Sequence, residues 1–141
     1  MYKRQGLTHA DTMKQLPCAA NCMNWNLGHI MVFRDYCLGA FNGTDGLSAT
    51  DPAEYAIYGA GSERLTDSSK AIPLETLVER LDETSEKLKA ALQSFTLEKF
   101  DELYNTHNGP QRLDDYLLFY LVVHEALHLG QLEIGRKLAL S

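Results

Sequence analysis

The chain has 141 residues and a mass of 15.8 kDa, the size of one domain, and a domain that long buries roughly 68–70% of its unfolded surface. With 45% hydrophobic and 23% charged residues, the composition excludes intrinsic disorder and collagen-like or low-complexity architectures. Its 13 Lys and Arg against 19 Asp and Glu give a net charge of −6 and a pI near 5.3, which argues against a nucleic-acid partner, because a phosphate backbone asks for a basic surface.

From the N-terminus, Met1-Tyr2-Lys3-Arg4 runs into polar sequence without the apolar region of a signal peptide. A short polar block follows to about Gln15, and Pro17 stops it. The second block starts after Asn21, a good N-cap, and carries Cys22, Trp25, His29, Val32, Phe33, Tyr36 and Ala40 at the spacing of one helix face, ending near Phe41-Asn42-Gly43. Residues 42–72 hold Gly43, Gly46, Pro52, Gly59 and Gly61, a long connection in which Ala53 to Tyr58 reads as one helical turn. The third block begins at Pro73 and alternates Leu74, Leu77, Val78, Leu81, Leu88, Ala91 and Leu92 with Glu75, Glu79, Arg80, Asp82, Glu83 and Lys87, an amphipathic helix. After a loop closing at Asn108-Gly109-Pro110, the fourth block runs almost to the C-terminus. It is apolar nearly all round from Tyr116 to Val123, so it is expected to be the most buried helix. That apolar run is far short of the ~20 residues of a membrane span.

No block has a sustained strand period, so the reading is all-α: one helical-bundle domain over 1–141. The long 42–72 connection can carry the chain back along the bundle and leave the second and third helices parallel. Cys18, Cys22 and Cys37 are too few and too irregularly spaced for a disulfide framework, which suits free thiols in a reducing cytoplasm.

The strongest chemical signal is His124-Glu125-Ala126-Leu127-His128. Four residues advance about 400°, so His124 and His128 share a helix face, one turn apart. That face also carries Leu117, Tyr120, Leu121, Gln131 and Gly135, which marks it as inward. A lone histidine such as His29, on an apolar stripe, is usually a satisfied core residue. Beside an inward His-x-x-x-His pair, it instead completes a set of three imidazoles that leaves an open position on an ion.

The same five residues match the zincin protease motif, with glutamate as general base. The third ligand that motif needs is missing, because Gln131 and Ile134 stand where the longer metalloprotease pattern has Gly and His, and Glu133 lies half a turn away. Glu125 either orients a water at the rim or is a solvated or supporting carboxylate, and the second is favoured. For Cys18 and Cys22, core packing outweighs a soft-metal pair. His9 and His107 fall in polar segments where an exposed imidazole is the default, while Trp25, Tyr36 and Tyr120 either line a pocket near the histidines or pack in the core. No phosphate loop or nucleophile triad occurs.

The runs Asn21-Cys22-Met23-Asn24-Trp25-Asn26-Leu27-Gly28-His29-Ile30 and His124-Glu125-Ala126-Leu127-His128-Leu129-Gly130-Gln131-Leu132, preceded by Gly6-Leu7-Thr8, resemble the DinB/YfiT-like metalloenzyme family. The resemblance implies an up-down-down-up four-helix bundle that binds a divalent ion through His29, His124 and His128, commonly as a homodimer. Some relatives are S-transferases or isomerases that use low-molecular-weight thiols such as bacillithiol or mycothiol. Relatives carry a longer first helix, so a short or incomplete one is expected here.

The function expected is therefore that of a divalent-metal-dependent enzyme, a thiol-dependent S-transferase or a hydrolase, acting on a small molecule in the cytoplasm. Zinc or nickel is the first choice of ion, with iron or manganese next. Its partners would be that substrate, a thiol and a second copy of the chain, not nucleic acid or membrane. The rival reading is a non-enzymatic, metal-stabilised binding or stress-response module, with Glu125 or a cysteine closing the coordination sphere.

Overall fold

The computed structural model describes residues 6–44, 50–106 and 109–141. The chain's start at Met1-Tyr2-Lys3-Arg4, the turn residue Asn108, Gly46 and His107 fall outside them. The first helix is short, as expected: α1 (His9–Thr12) is one turn, closed by a capping box in which Thr8 and Asp11 each bond the other's backbone N–H. Those bonds hold the Asp11 carboxyl far below the usual carboxylate range.

The helix α2 (Met23–Phe41) is buried on every side from Cys22 to Phe33, not along one stripe. Its polar residues tolerate this because they are paired: Asn24 Nδ2 donates to the Ile72 carbonyl at 2.9 Å, and Asn26 Nδ2 to that of Cys22 at 3.0 Å. The cap falls on Cys22 rather than Asn21, and the buried Cys22 thiol donates to the Leu65 carbonyl. The helix α3 (Pro52–Tyr58) has seven residues capped by Asp51, longer than the single turn expected, and delivers Tyr58 into the core. A 3-10 turn at Ser68–Lys70 leads to α4 (Leu74–Ser94), which buries Leu74, Leu77, Val78, Leu81 and Leu88 as its pattern requires, whereas Leu92 near its end is exposed.

Helices α2 and α4 run parallel. Asn24 meets Ile72 near their starts, Arg34 Nη1 donates to the Leu81 carbonyl midway, and the Phe41 and Phe95 rings sit 4.7 Å apart at their ends. After α5 (Leu97–Phe100) comes a hairpin that the sequence reading missed, β1 (Leu103–Thr106) antiparallel to β2 (Gly109–Arg112). Its strands are too short to establish an alternation, and Gly109 takes a φ of +96° at the start of β2.

The last helix opens as α6 (Leu113–Leu118), widens into a π turn (Phe119–His124) and continues as α7 (Glu125–Leu140). It runs antiparallel to α2, pairing Tyr120 with Phe33, His128 with Asn26, and Gly135 with Met23. The expectation that this helix is the most buried is wrong: Leu118, Phe119, Val122, Val123, Leu127, Ile134 and Leu138 are all exposed. With α1 reduced to one turn, its apolar residues find partners mainly on the α2 side, and α2 becomes the central helix. The continuous helix Leu113–Leu140 spans 28 residues and is, by length and composition, long and apolar enough to cross a bilayer. The uninterrupted apolar run underestimated it.

Candidate metal centre

The site grows from the segment Trp25 to His29. At Gly28 the missing side chain makes room for the Tyr58 ring, whose Cδ1 would lie 2.2 Å from a Cβ. The Tyr58 hydroxyl donates to Asn24 Oδ1 at 2.9 Å and accepts from the Ile72 N–H at 2.7 Å, so two bonds pin the far end of the ring. Its backbone carbonyl accepts from His29 Nδ1 at 2.6 Å. That contact puts the ring proton on Nδ1 and turns the Nε2 lone pair inward. Trp25 stacks on the His29 ring at 4.3 Å and 18°, anchored by its indole N–H to the Ile57 carbonyl and Ser62 Oγ.

His128 is oriented by the same logic. Because the Asn26 amide nitrogen is used on Cys22, its Oδ1 faces His128 Nδ1 at 2.8 Å, and Gln131 Oε1 takes the same proton at 2.9 Å. The His128 Nε2 is thereby an acceptor. The His124 Nε2 lies 3.2 Å from that of His29 and 3.3 Å from that of His128. Among the described residues these three histidines form the group able to hold an ion.

The donor set fits a cation. His124 Nε2 has one proton at most, yet two lone pairs face it, so hydrogen bonding alone leaves one of the close contacts opposed lone pair to lone pair. Two nitrogens about 2.0–2.1 Å from one tetrahedral ion sit about 3.3 Å apart, the spacing found here. Burial pushes His29 and His124 down to about 4, with repulsion among the three rings adding to it, and burial lowers His128 as well. All three are neutral at pH 7, the form that ligates.

Phe33, missed as a site residue, lies 4.6 Å from both the His29 and His124 rings and stacks on Tyr120 and Tyr36. Of the aromatic candidates, Trp25 and Tyr120 border the histidines, whereas Tyr36 is buried behind Phe33. Phe119 and Tyr120, whose rings stand 6.3 and 5.6 Å from that of His124, line a cavity of about 450 Å³ together with Thr106, Gln111, Arg112, Asp115 and Tyr116.

Glu125 is not a solvated carboxylate. Its oxygens accept from Arg34 Nε at 3.1 Å and Nη2 at 2.5 Å, with both side chains nearly buried. The sequence held the signal: an arginine inside an apolar helix requires a buried partner. The three cysteines are free; Cys22 and Cys37 are buried, but Cys18 is exposed, contrary to its assignment to the core. Burial pushes the Cys37 thiol up to about 12. His9 is half-buried instead of exposed.

A family model described as the DinB superfamily matches residues 19–132, a stretch that includes all three histidines. Comparison with curated proteins and with solved structures gives no match.

Proposed function

This chain belongs to the DinB superfamily, and from that premise we propose that it is a divalent-metal-dependent enzyme acting on a small molecule, with His29, His124 and His128 as the ligands. The observation that carries this reading is the convergence of three neutral imidazoles, two of which have their outer nitrogens already used, His29 on Tyr58 and His128 on Asn26 and Gln131. Zinc or nickel suits three nitrogens best, with iron or manganese as alternatives. A divalent ion held by these imidazoles would supply Lewis acidity, lowering the pKa of a water or thiol bound to it.

The residues of the chain supply the rest. Trp25 and Phe33 flank the imidazoles with apolar walls. A thiol-dependent transfer or a hydrolysis both fit such a centre. Against the rival reading of a closed, non-enzymatic site stands Glu125, its oxygens committed to Arg34.

The test is stoichiometric metal content of the purified protein, with His128→Ala as control, followed by the spectrum of the cobalt form. One ion per chain, lost in His128→Ala, supports the reading. No uptake, equal uptake by the variant, or a thiolate charge-transfer band defeats it.

The partner expectation also becomes a proposal: a second copy covers the exposed face of the last helix. Phe119, Val122, Val123, Leu127, Ile134 and Leu138 are each about half exposed. Together they offer roughly 600 Å² per copy, so two copies pass the ~1,000 Å² of a specific interface. Antiparallel packing sets the acidic first turn, Asp114 and Asp115, against Lys137 in the last turn of the other copy. Light scattering over a hundredfold dilution, with Leu127→Glu as the disrupting variant, should give a dimer that the variant splits. A monomer throughout, or flotation of the protein with lipid vesicles, overturns it.

A further inference from the structure

Arg34 sits midway along α2 with its side chain 11% exposed, and Glu125 opposite is 14% exposed. A guanidinium cannot shed its charge, so this pair has to be satisfied in place. Nε and Nη2 hold the two carboxylate oxygens, while Nη1 donates to the Leu81 carbonyl and to Ser85 Oγ, both at 2.8 Å. One planar fork thus fastens α7 to α2 and α2 to α4 at a single level. The level matters, because Glu125 follows His124 in the chain and opens α7.

The turn just before it is π-helical, from Phe119 to His124. A widened turn breaks the regular register of a helix, so the packing of α6 does not by itself dictate the rotation and rise at which α7 meets α2. The fork is fixed at the first residue after that break. Its planar two-bond geometry defines both quantities, where a single point charge would leave the rotation loose.

We propose that Glu125, through Arg34, is a positioning residue of the metal centre: the fork sets the register of α7 on α2 and so holds the His124 and His128 nitrogens in ligating distance of His29. The proposal rests on the metal reading above. It gives the glutamate of the His-Glu-x-x-His sequence a role unlike that of a protease base: it never reaches the reacting atoms.

Positioning and stability can be separated, because exchanging a buried ion pair for apolar residues of similar volume usually preserves or raises stability, whereas removing one partner lowers it. Wild type, Glu125→Gln and the double variant Arg34→Met/Glu125→Leu are compared by metal-free Tm, by Zn²⁺ affinity in competition with a chromophoric chelator, and by the ligand-field spectrum of the Co²⁺ form. Glu125→Gln is expected to lose roughly 10–100-fold in affinity. The double variant should regain the Tm while its affinity stays at least tenfold low and its cobalt bands shift. Affinity that recovers along with Tm, or Glu125→Gln binding within twofold of wild type, overturns the positioning role. A wild type that takes no ion overturns the metal reading with it.

Discussion

Replacing Gly28 by alanine probes the site without touching a ligand. The added Cβ would lie 2.2, 2.4 and 2.6 Å from three atoms of the Tyr58 ring, so the ring has to retreat by about 1 Å to reach ordinary contact. It cannot do so freely, since its hydroxyl is bonded to Asn24 and Ile72 and its carbonyl to His29. Overpacking costs about 1–3 kcal/mol, and loosening the buried bond to His29 costs about 1 kcal/mol more. Better helix propensity returns about 0.8–1 kcal/mol. The net expectation is a loss of about 1–3 kcal/mol in urea unfolding, together with roughly 10–100-fold weaker metal binding as His29 loses its orienting partner. Gly130→Ala is the matched control: its Cβ would meet nothing within 4 Å, so α7 should gain about 0.5–1 kcal/mol with metal affinity unchanged. A Gly28→Ala protein as stable and as metal-avid as wild type would refute the reasoning.

Three further outcomes follow from single buried side chains. His29, near 4 in the fold against 6.5 unfolded, binds fewer protons folded than unfolded between those values, so its contribution is present above pH 6.5 and lost as pH falls toward 4. The metal-free protein should lose roughly 3 kcal/mol from this group alone, seen as a loss that His29→Phe does not share. Asp35 has the opposite sign: burial raises it to about 6 despite Arg80, so Asp35→Asn should stabilise the fold at pH 8 by up to about 3 kcal/mol and match wild type near pH 4. Equal stability curves would dismiss this. Leu81, fully buried between α2 and α4, should cost about 2–5 kcal/mol on truncation to alanine in chemical denaturation.

The parts of the fold that a periodic pattern specifies were legible in the sequence. The leucine spacing from Leu74 to Leu88 marks α4, and two histidines four apart mark two of the three candidate ligands, since a helix puts them on one face whatever surrounds it. Burial was not legible for α2 and the last helix, because it depends on what neighbours exist. The apolar run Tyr116 to Val123 reads as a core signature, yet only Tyr116 and Leu117 are buried, and Leu118, Phe119, Val122 and Val123 are exposed. The partners of the imidazoles were hidden for a different reason: Tyr58 acts through its backbone carbonyl, which no residue type advertises. The hairpin and the π turn were hidden because neither leaves a composition mark over four to six residues.

The separation of 95 positions between His29 and His124 bears on the order of events in folding. α2 and α4 can settle against each other across their crossover before the last helix arrives, whereas the imidazole cluster exists only once that helix has docked. Contacts this far apart in sequence carry a large loop-closure cost, so they are expected to be absent from an early folding nucleus and to form on the native side of the barrier. An ion held there would leave the folding rate nearly unchanged and act almost wholly by slowing unfolding, so the lifetime of the folded chain would be governed by how long the last helix stays clasped.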